Sequence, residues 1–149
     1  MARVQLDMIK NFTFKTELSI RITDINYGNH VGHDSFISLL HEARLRFLHN
    51  IGFSEANIDG KALILSDLVV SYESQAFYGD KLLFEIGAGE FNKYGCDIFY
   101  RVSNKKSKKL VLLAKTGIVF FDYSENKITT MPGIFSRVLN PFSVNTKVG

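Results

Sequence analysis

The residues most able to carry chemistry stand together in one polar stretch, from position 24 to position 34. It holds two histidines, His30 and His33, with the carboxylate of Asp24 and the amide of Asn26 just before them. An imidazole takes up and releases protons near neutral pH, so His30 is a candidate general base. A helix is expected directly after the stretch, and the free N–H groups at a helix N-terminus can bind a carbonyl oxygen or an anion. The pattern predicts a ligand site at this loop.

One amphipathic helix is predicted after the loop, from Ser35 to Gly52. Apolar side chains recur every three or four residues and form a continuous stripe that would pack on a sheet. The side chain of Asp34 or Ser35 is expected to cap the N-terminus, and Gly52 is a natural end. The stripe consists of Phe36, Leu40, Ala43, Phe47 and Ile51.

The rest of the chain has the period of strands. A short closing helix is expected at 132–139, after a turn at 122–126. One long helix beside antiparallel strands predicts the α+β class. The segments expected to be extended are 12–23, 62–78, 82–89, 96–103 and 110–121.

Composition describes an ordinary globular protein. The chain has 149 residues, of which 46% are apolar and 22% charged, and we expect one domain over 1–149. The single cysteine, Cys96, excludes an intramolecular disulfide and a cysteine-based zinc cluster. The sequence begins without a signal-like apolar segment and contains no long apolar run, so a cytoplasmic location without membrane contact is expected.

The net charge of +3 is concentrated at one turn. Four lysines lie between positions 105 and 109. They are either a solvated hairpin tip or an attraction for an anionic partner, such as a nucleotide phosphate or an acidic carrier protein. No nucleic-acid recognition motif or basic helix is present, so no nucleic-acid partner is expected.

Self-association is expected from the layout. One helix covers only one face of a sheet, and an open edge or apolar face is commonly covered by pairing. The segment 110–121 is apolar on both faces, which is typical of a central strand or one buried by a partner. We expect a homodimer or a homotetramer.

A series of short motifs runs through the chain in one order. They are Arg21, Asp24, Asn26, Asn29-His30-Val31, Phe36, Glu42-Ala43-Arg44, Tyr72, Ala76, Gly79-Asp80, Ala114, Thr116, Phe120-Phe121-Asp122 and Met131-Pro132. This ordered set resembles the hotdog-fold thioesterases, in the 4-hydroxybenzoyl-CoA thioesterase-like and YbgC-like branch.

The resemblance implies a hotdog fold, with one long central helix wrapped by an antiparallel sheet of five to six strands. It also implies hydrolysis of acyl thioesters, carried by CoA or by an acyl-carrier protein. No metal or redox cofactor is implied, and CoA enters only as part of the substrate.

The sequence departs from the family pattern in two places. Asn26 stands where most relatives carry the catalytic aspartate, and Gly32-His33 replaces the two asparagines of the His-Val-Asn-Asn form seen in acyl-carrier-protein thioesterases. An amide cannot act as a general base, but it can position a water or bind the thioester carbonyl. Asn26 could equally serve only as a turn former. The alternative function is therefore a non-catalytic acyl-CoA or acyl-carrier binding protein. A hydratase is disfavoured, since its Asp/His pair on a different helix start is missing.

Four residues are candidates for the catalytic site: Asn26, His30, Asp24 and Glu42. His30 is either the general base or a loop histidine bonded to the backbone. Asp24 would orient His30 or replace the missing carboxylate, or else it forms a turn at the strand exit. Glu42 is either paired with Arg46 four residues on, or directed at the loop of a neighbouring subunit.

The substrate-binding candidates are mostly aromatic. Tyr27, Phe36, Tyr72 and Phe77 could line an acyl pocket, although core packing is the default role of any aromatic residue. His33 lies near the expected helix start, where it could contact substrate, cap the helix or face solvent. Asp67 lies in an otherwise apolar segment, and its carboxylate is either buried or on the solvated face.

Overall fold

The computed structural model describes residues 3–139 of the chain. A single 3-10 turn, Ile22–Asp24, lies between the first strand and the long helix. The strands and helices are β1 Phe14–Ser19, α1 His33–Asn50, β2 Ala62–Tyr72, β3 Lys81–Gly89, β4 Gly95–Asn104, β5 Leu110–Asp122, β6 Lys127–Thr129 and α2 Gly133–Leu139.

The six strands form one antiparallel sheet in the order β1-β3-β4-β5-β2, and β6 pairs with the end of β5. β1 and β2 follow one another in the chain but lie at opposite edges, because α1 crosses the sheet between them. The expected α+β class is confirmed. β5 is a central strand between β4 and β2, which explains its apolar residues on both faces.

The core lies between α1 and the sheet. The predicted stripe is buried as expected, with Leu40 and Phe47 each 1% exposed. On the sheet, the alternating side chains of β3 and β4 face the helix, and Phe84, Ile86 and Ile98 are fully buried. This packing fixes α1, and with it the loop that precedes α1.

The bounds of α1 differ from the expected Ser35 to Gly52. The helix begins at His33, and its N-cap is Gly32, which makes no side-chain cap hydrogen bond. The expected capping by Asp34 or Ser35 is therefore wrong, because both residues are already inside the first turn. Gly52 lies just after the helix with φ of 87°, the left-handed conformation that ends helices.

The first two extended segments are shorter than the alternation indicated. β1 ends at Ser19, and Ile22 is 67% exposed in the 3-10 turn. The turn forms because the Asp24 carboxylate accepts a hydrogen bond from the Arg21 N–H at 2.8 Å. β2 ends at Tyr72, where the chain leaves the sheet edge toward the loop before α1.

β2 is an edge strand whose middle is open to solvent. Leu65 and Leu68 are 48% and 38% exposed, although both are apolar. Asp67 lies on the solvated face, where its carboxylate accepts hydrogen bonds from Lys115 Nζ and the Gly117 N–H. Neither of the helices in residues 3–139 is long and apolar enough to cross a membrane.

Candidate functional site

Asp24 holds the two ends of the loop together. It is only 6% exposed, and its carboxylate closes the turn on Arg21. Its backbone carbonyl accepts a hydrogen bond from the Gly32 N–H at 3.2 Å. The Val31 N–H donates to the Ala76 carbonyl at 2.9 Å, which ties the loop to the segment after β2. Asp24 thus makes the turn contacts of the simpler interpretation, and a catalytic role for it stays a prediction.

Asn26 shapes the tip of the loop. Its side-chain Oδ1 accepts a hydrogen bond from the Gly28 N–H at 2.9 Å. Its backbone N–H donates to the His30 carbonyl at 2.9 Å, and Asn29 has a φ of 66° to complete the turn. The turn-forming interpretation of Asn26 thus has its contacts in the structure. Its amide Nδ2 is left for other contacts, and its catalytic role stays a prediction.

His30 makes the backbone contact of the simpler interpretation, and its role as a general base stays a prediction. Its Nδ1 lies 3.1 Å from the Val31 carbonyl oxygen. A carbonyl can only accept, so this contact requires a proton on Nδ1 and leaves the lone pair on Nε2. A carbon placed on Gly28 would lie 3.1 Å from His30 Nε2 and 3.2 Å from Asn26 Oδ1. His30 Nε2 and Asn26 Oδ1 therefore lie on the same side of Gly28, close to its Cα.

The N-terminus of α1 completes this arrangement. With glycine as the N-cap, no side chain occupies the N–H groups of the first turn. A carbon placed on Gly32 would lie 2.6 Å from Asp34 Oδ1, 3.6 Å from Asn26 Cβ and 3.8 Å from Asn26 Nδ2. The Asp34 carboxylate and the Asn26 amide are therefore both close to the helix start. Free backbone donors in such a place can stabilise a developing oxyanion.

A cavity of about 270 Å³ opens beside these groups. Four of the predicted residues line it, namely His30, His33, Phe36 and Tyr72. The rings of Phe36 and Tyr72 pack with centroids 5.8 Å apart, and the Tyr72 hydroxyl donates to the His33 carbonyl at 2.9 Å. Burial raises the pKa of Tyr72, with a contribution from the negative charge of Asp34, so the hydroxyl stays a donor at neutral pH.

Asp24 and Glu42 line a different cavity, of about 490 Å³, between β1 and α1. Glu42 is exposed and accepts a hydrogen bond from Arg46 Nε at 2.9 Å. This is the pair four residues apart that the sequence suggested for it. Within one chain neither carboxylate borders the cavity of His30. Tyr27 is fully exposed, and it lines neither cavity.

Sequence reasoning missed two residues. Glu73 lines the His30 cavity and accepts a hydrogen bond from Arg3 Nη2 at 2.8 Å. Arg44 belongs to α1 and is only 4% exposed, although an arginine is seldom buried. Its position four residues after Leu40, beside the apolar stripe, is a signal for burial in the sequence.

The remaining predictions concern metal and anions. Among residues 3–139, no three His, Cys, Asp or Glu side chains lie close enough to hold a metal ion, and the expected lack of a metal stays a prediction. At the basic turn, Lys105 Nζ pairs with Glu17 at 2.7 Å. A phosphate contact at this turn stays a prediction.

Comparison with known proteins places the chain in a family. Residues 20–139 match the family model described as the thioesterase-like superfamily. A search of curated proteins finds no match.

Solved structures share the fold. The 1,4-dihydroxy-2-naphthoyl-CoA thioesterase Slr0204 from Synechocystis is 23% identical, with 85% of this chain and 94% of that chain covered and a TM-score of 0.78. The DHNA-CoA thioesterase from Staphylococcus aureus is 20% identical, with 90% and 89% covered and a TM-score of 0.72. The probable thioesterase YbaW from Escherichia coli is 18% identical, with 83% and 93% covered and a TM-score of 0.70. At such identities these likenesses concern the fold, and they confirm the expected hotdog architecture.

Proposed function

The chain belongs to the thioesterase-like superfamily, and from that premise we propose that it hydrolyses acyl thioesters at the N-terminus of α1. The observation that supports this most is the position of His30. Its Nε2 and Asn26 Oδ1 lie on one side of Gly28, and Asn26 Nδ2 lies near Gly32, the N-cap of α1, which has no side-chain cap. A base, a polar group for a water and a set of free N–H donors are what thioester cleavage needs.

The proposed reaction uses these groups in turn. The thioester carbonyl oxygen accepts hydrogen bonds from the first-turn N–H groups of α1, and a water lies between Asn26 and His30. His30 Nε2 takes a proton from the water as its oxygen attacks the carbonyl carbon. The carbon–sulfur bond then breaks, and the proton on His30 passes to the leaving thiolate. The products are a free acid and a free thiol.

CoA is the proposed carrier of the acyl group, with an acyl-carrier protein as the other possibility. The solved structures of similar fold include proteins described as CoA thioesterases, which supports CoA. A cytoplasmic location stays a prediction from the sequence alone.

The test of hydrolysis is release of free thiol from a panel of short, long and aromatic acyl-CoAs, extended to acyl-carrier proteins. We expect turnover on at least one member. The alternative, a binding protein, is favoured by one observation, which is the amide at position 26 in place of a carboxylate. Binding by calorimetry without thiol release on any member would establish that alternative.

The Asn26→Asp variant is the companion to this panel. Its Oδ1 can keep the hydrogen bond from the Gly28 N–H, so the loop should be unchanged. Its second oxygen would add a carboxylate beside His30, and we expect the rate of thiol release to rise about tenfold or more. A fall in rate would show that the amide N–H groups of Asn26 are themselves needed.

A homodimer formed through β2 is the proposed assembly. The outer edge of β2 has no strand partner in residues 3–139, and its exposed Leu65 and Leu68 would be covered by a second copy. Pairing there would also close the open side of the space between α1 and β2. We expect sedimentation equilibrium to give twice the mass of one chain, or a multiple of that. A monomer at micromolar concentration would contradict this assembly.

A further inference from the structure

The turn between β4 and β5 carries four lysines, at positions 105, 106, 108 and 109, and we call these four residues the lysine turn. The turn lies at the end of the sheet where β1 and β2 also end. The loop with His30 follows β1, so the lysine turn and the proposed site occupy the same end of the molecule.

Hydrogen bonds at both ends of the lysine turn fix it beside the cavity at the start of α1. Ser74 lines that cavity, and its hydroxyl donates to the Leu110 carbonyl at 2.6 Å, directly after the last lysine. At the other end, the Lys105 N–H donates to the Lys81 carbonyl at 2.9 Å. The lysine turn therefore lies alongside the segment 74–81, which leads from the cavity to the start of β3.

The lysine turn has a fixed backbone, but its charges are only partly paired. The Asn104 side-chain oxygen accepts hydrogen bonds from the N–H groups of Lys106 and Ser107, both at 3.0 Å. Lys105 pairs with Glu17, whereas none of the ion pairs within residues 3–139 involves the other three lysines, whose side chains are exposed. Such a cluster creates a positive potential that attracts a compact anion with several charges.

The nucleotide end of CoA is an anion of this kind. It carries a diphosphate and a 3′-phosphate on one adenosine, whereas an acidic carrier protein spreads its carboxylates over a folded surface. An aromatic ring also lies close to the lysines, because Tyr78 is three residues before Lys81 and is 66% exposed. An exposed aromatic ring can stack on a base, so the surface offers contacts to both the phosphates and the adenine.

The pantetheine arm of CoA is long enough to join the cavity to the lysine turn. An extended chain advances about 1.2 Å per bond, so the roughly thirteen bonds from the sulfur to the first phosphorus span about 15 Å. Lys109 adjoins Leu110, which Ser74 contacts, so its backbone lies within about 9 Å of the cavity wall. A thioester bound at the start of α1 therefore leaves its phosphates within reach of the lysines.

We propose that the lysine turn, with Lys81 and Tyr78 beside it, binds the phosphates and the adenine of CoA. This inference rests on the proposed hydrolysis at the start of α1, and it makes CoA, not a carrier protein, the group that presents the acyl chain. The pantetheine arm then follows the segment 74–81 into the cavity.

The test measures the Kd values of CoA, 3′-dephospho-CoA and pantetheine by calorimetry. The three ligands share one pantetheine arm and differ in their charged end. Since an exposed contact between a lysine and a phosphate is worth a small factor, loss of the 3′-phosphate should raise the Kd about threefold, and loss of the whole nucleotide about tenfold or more. Equal Kd values for the three ligands would overturn the inference.

A double variant assigns this binding to the lysine turn. Lys106→Gln combined with Lys109→Gln removes two charges and should raise the Kd of CoA about threefold to twentyfold. The matched control combines Lys93→Gln with Lys127→Gln, because these two exposed lysines lie at the opposite end of the sheet. The control should leave the Kd unchanged. Equal weakening in both double variants would show that only total charge matters and would overturn the site.

The adenine contact has its own variant. Tyr78→Ser removes an exposed ring and should raise the Kd values of CoA and 3′-dephospho-CoA by the same factor, about fivefold or more, because both ligands carry the adenine. Pantetheine has no base, so its Kd is the internal reference. An unchanged Kd for CoA in Tyr78→Ser would overturn the adenine contact.

Kinetics separate failure of this inference from failure of the proposed hydrolysis. The ratio of kcat/KM for an acyl-CoA to that for the matching acyl-pantetheine is measured in the native chain and in the Lys106→Gln/Lys109→Gln variant. If no thiol is released but the variant removes the tighter binding of CoA, the nucleotide site is supported and hydrolysis is not. If thiol is released and the ratio is the same in both proteins, hydrolysis stands and the nucleotide site falls. Turnover of acyl-carrier proteins alone, lost in the same variant, would overturn the site in favour of an acidic protein.

Discussion

Replacement of His30 with alanine is expected to lower the rate of thiol release by a factor of about 10² to 10⁴. The imidazole Nε2 lies on the side of Gly28 where Asn26 Oδ1 also lies, which makes it our choice of base over His33 and Glu73, the other proton acceptors that line the cavity. Substrate binding should change little, because His30 is expected to act on the water rather than on the acyl group. The kcat and KM of the variant, measured on the best substrate of the panel, check this.

Two further variants make the His30 result interpretable. His49→Ala removes an exposed histidine from the last turn of α1 and should leave kcat unchanged. Gly32→Ala keeps His30 but places a methyl group 2.6 Å from Asp34 Oδ1, so the Asp34 carboxylate must move at the start of α1, and we expect kcat to fall about tenfold or more. The backbone of Gly32, with φ of −69° and ψ of 151°, accepts alanine, and the Asp34 carboxylate is the end of a flexible side chain, so the fold should survive. An undiminished kcat in both His30→Ala and Gly32→Ala would place the chemistry elsewhere.

The second large effect is on stability. Replacement of Arg44 with methionine is expected to lower the free energy of unfolding by about 1.5–3 kcal/mol, because Glu55 then keeps only His41 and the Tyr100 hydroxyl keeps only Thr116. Urea denaturation measures the difference. Arg46→Met is the matched control: Arg46 is half-exposed, its pair with Glu42 is worth only about 0.3–0.5 kcal/mol, and its hydrogen bonds to Thr16 and the Glu17 carbonyl are exposed to solvent.

The effect of Arg44 should depend on pH. Burial alone would raise the pKa of Glu55, but hydrogen bonds from Arg44 and His41 outweigh burial and hold the pKa below its usual range. A lowered pKa in the folded state gives stability that is complete above the ordinary glutamate pKa of about 4.3 and is lost as the pH falls further. The stability gap between the native chain and Arg44→Met should therefore narrow as the pH is lowered from 7 to about 3. A gap that is constant with pH would show that lost packing, not the ion pair, is responsible.

The layout of the fold could be predicted because it depends on local periodicity. The stripe from Phe36 to Phe47 and the alternation in β3 and β4 are visible in the sequence, and packing follows from them. The end of β1 could not be predicted from this periodicity, because it depends on the hydrogen bond from the Arg21 N–H to the Asp24 carboxylate. The start of α1 was missed for a similar reason: Gly32 serves as N-cap without a side chain.

The site could be predicted in part. The loop with Asn26 and His30 was identified from residue types, and it does adjoin the helix start. Phe36 and Tyr72 were expected to line one pocket and they do, but Tyr27 lines neither cavity. The sequence does not separate these aromatic residues, because Tyr72 meets Phe36 only through the packing of β2 near α1. The buried state of Arg44 depends on Glu55 and Tyr100, which are 11 and 56 residues away in the chain.

The most direct test of the proposed hydrolysis is the initial rate of CoA release by the native chain from aromatic and medium-chain acyl-CoAs, with the free acid quantified in the same samples. We predict a rate proportional to protein concentration, equal amounts of acid and thiol, and loss of both in His30→Ala. Tight binding of the same thioesters with release at the rate of buffer alone would contradict hydrolysis and leave a binding protein in its place.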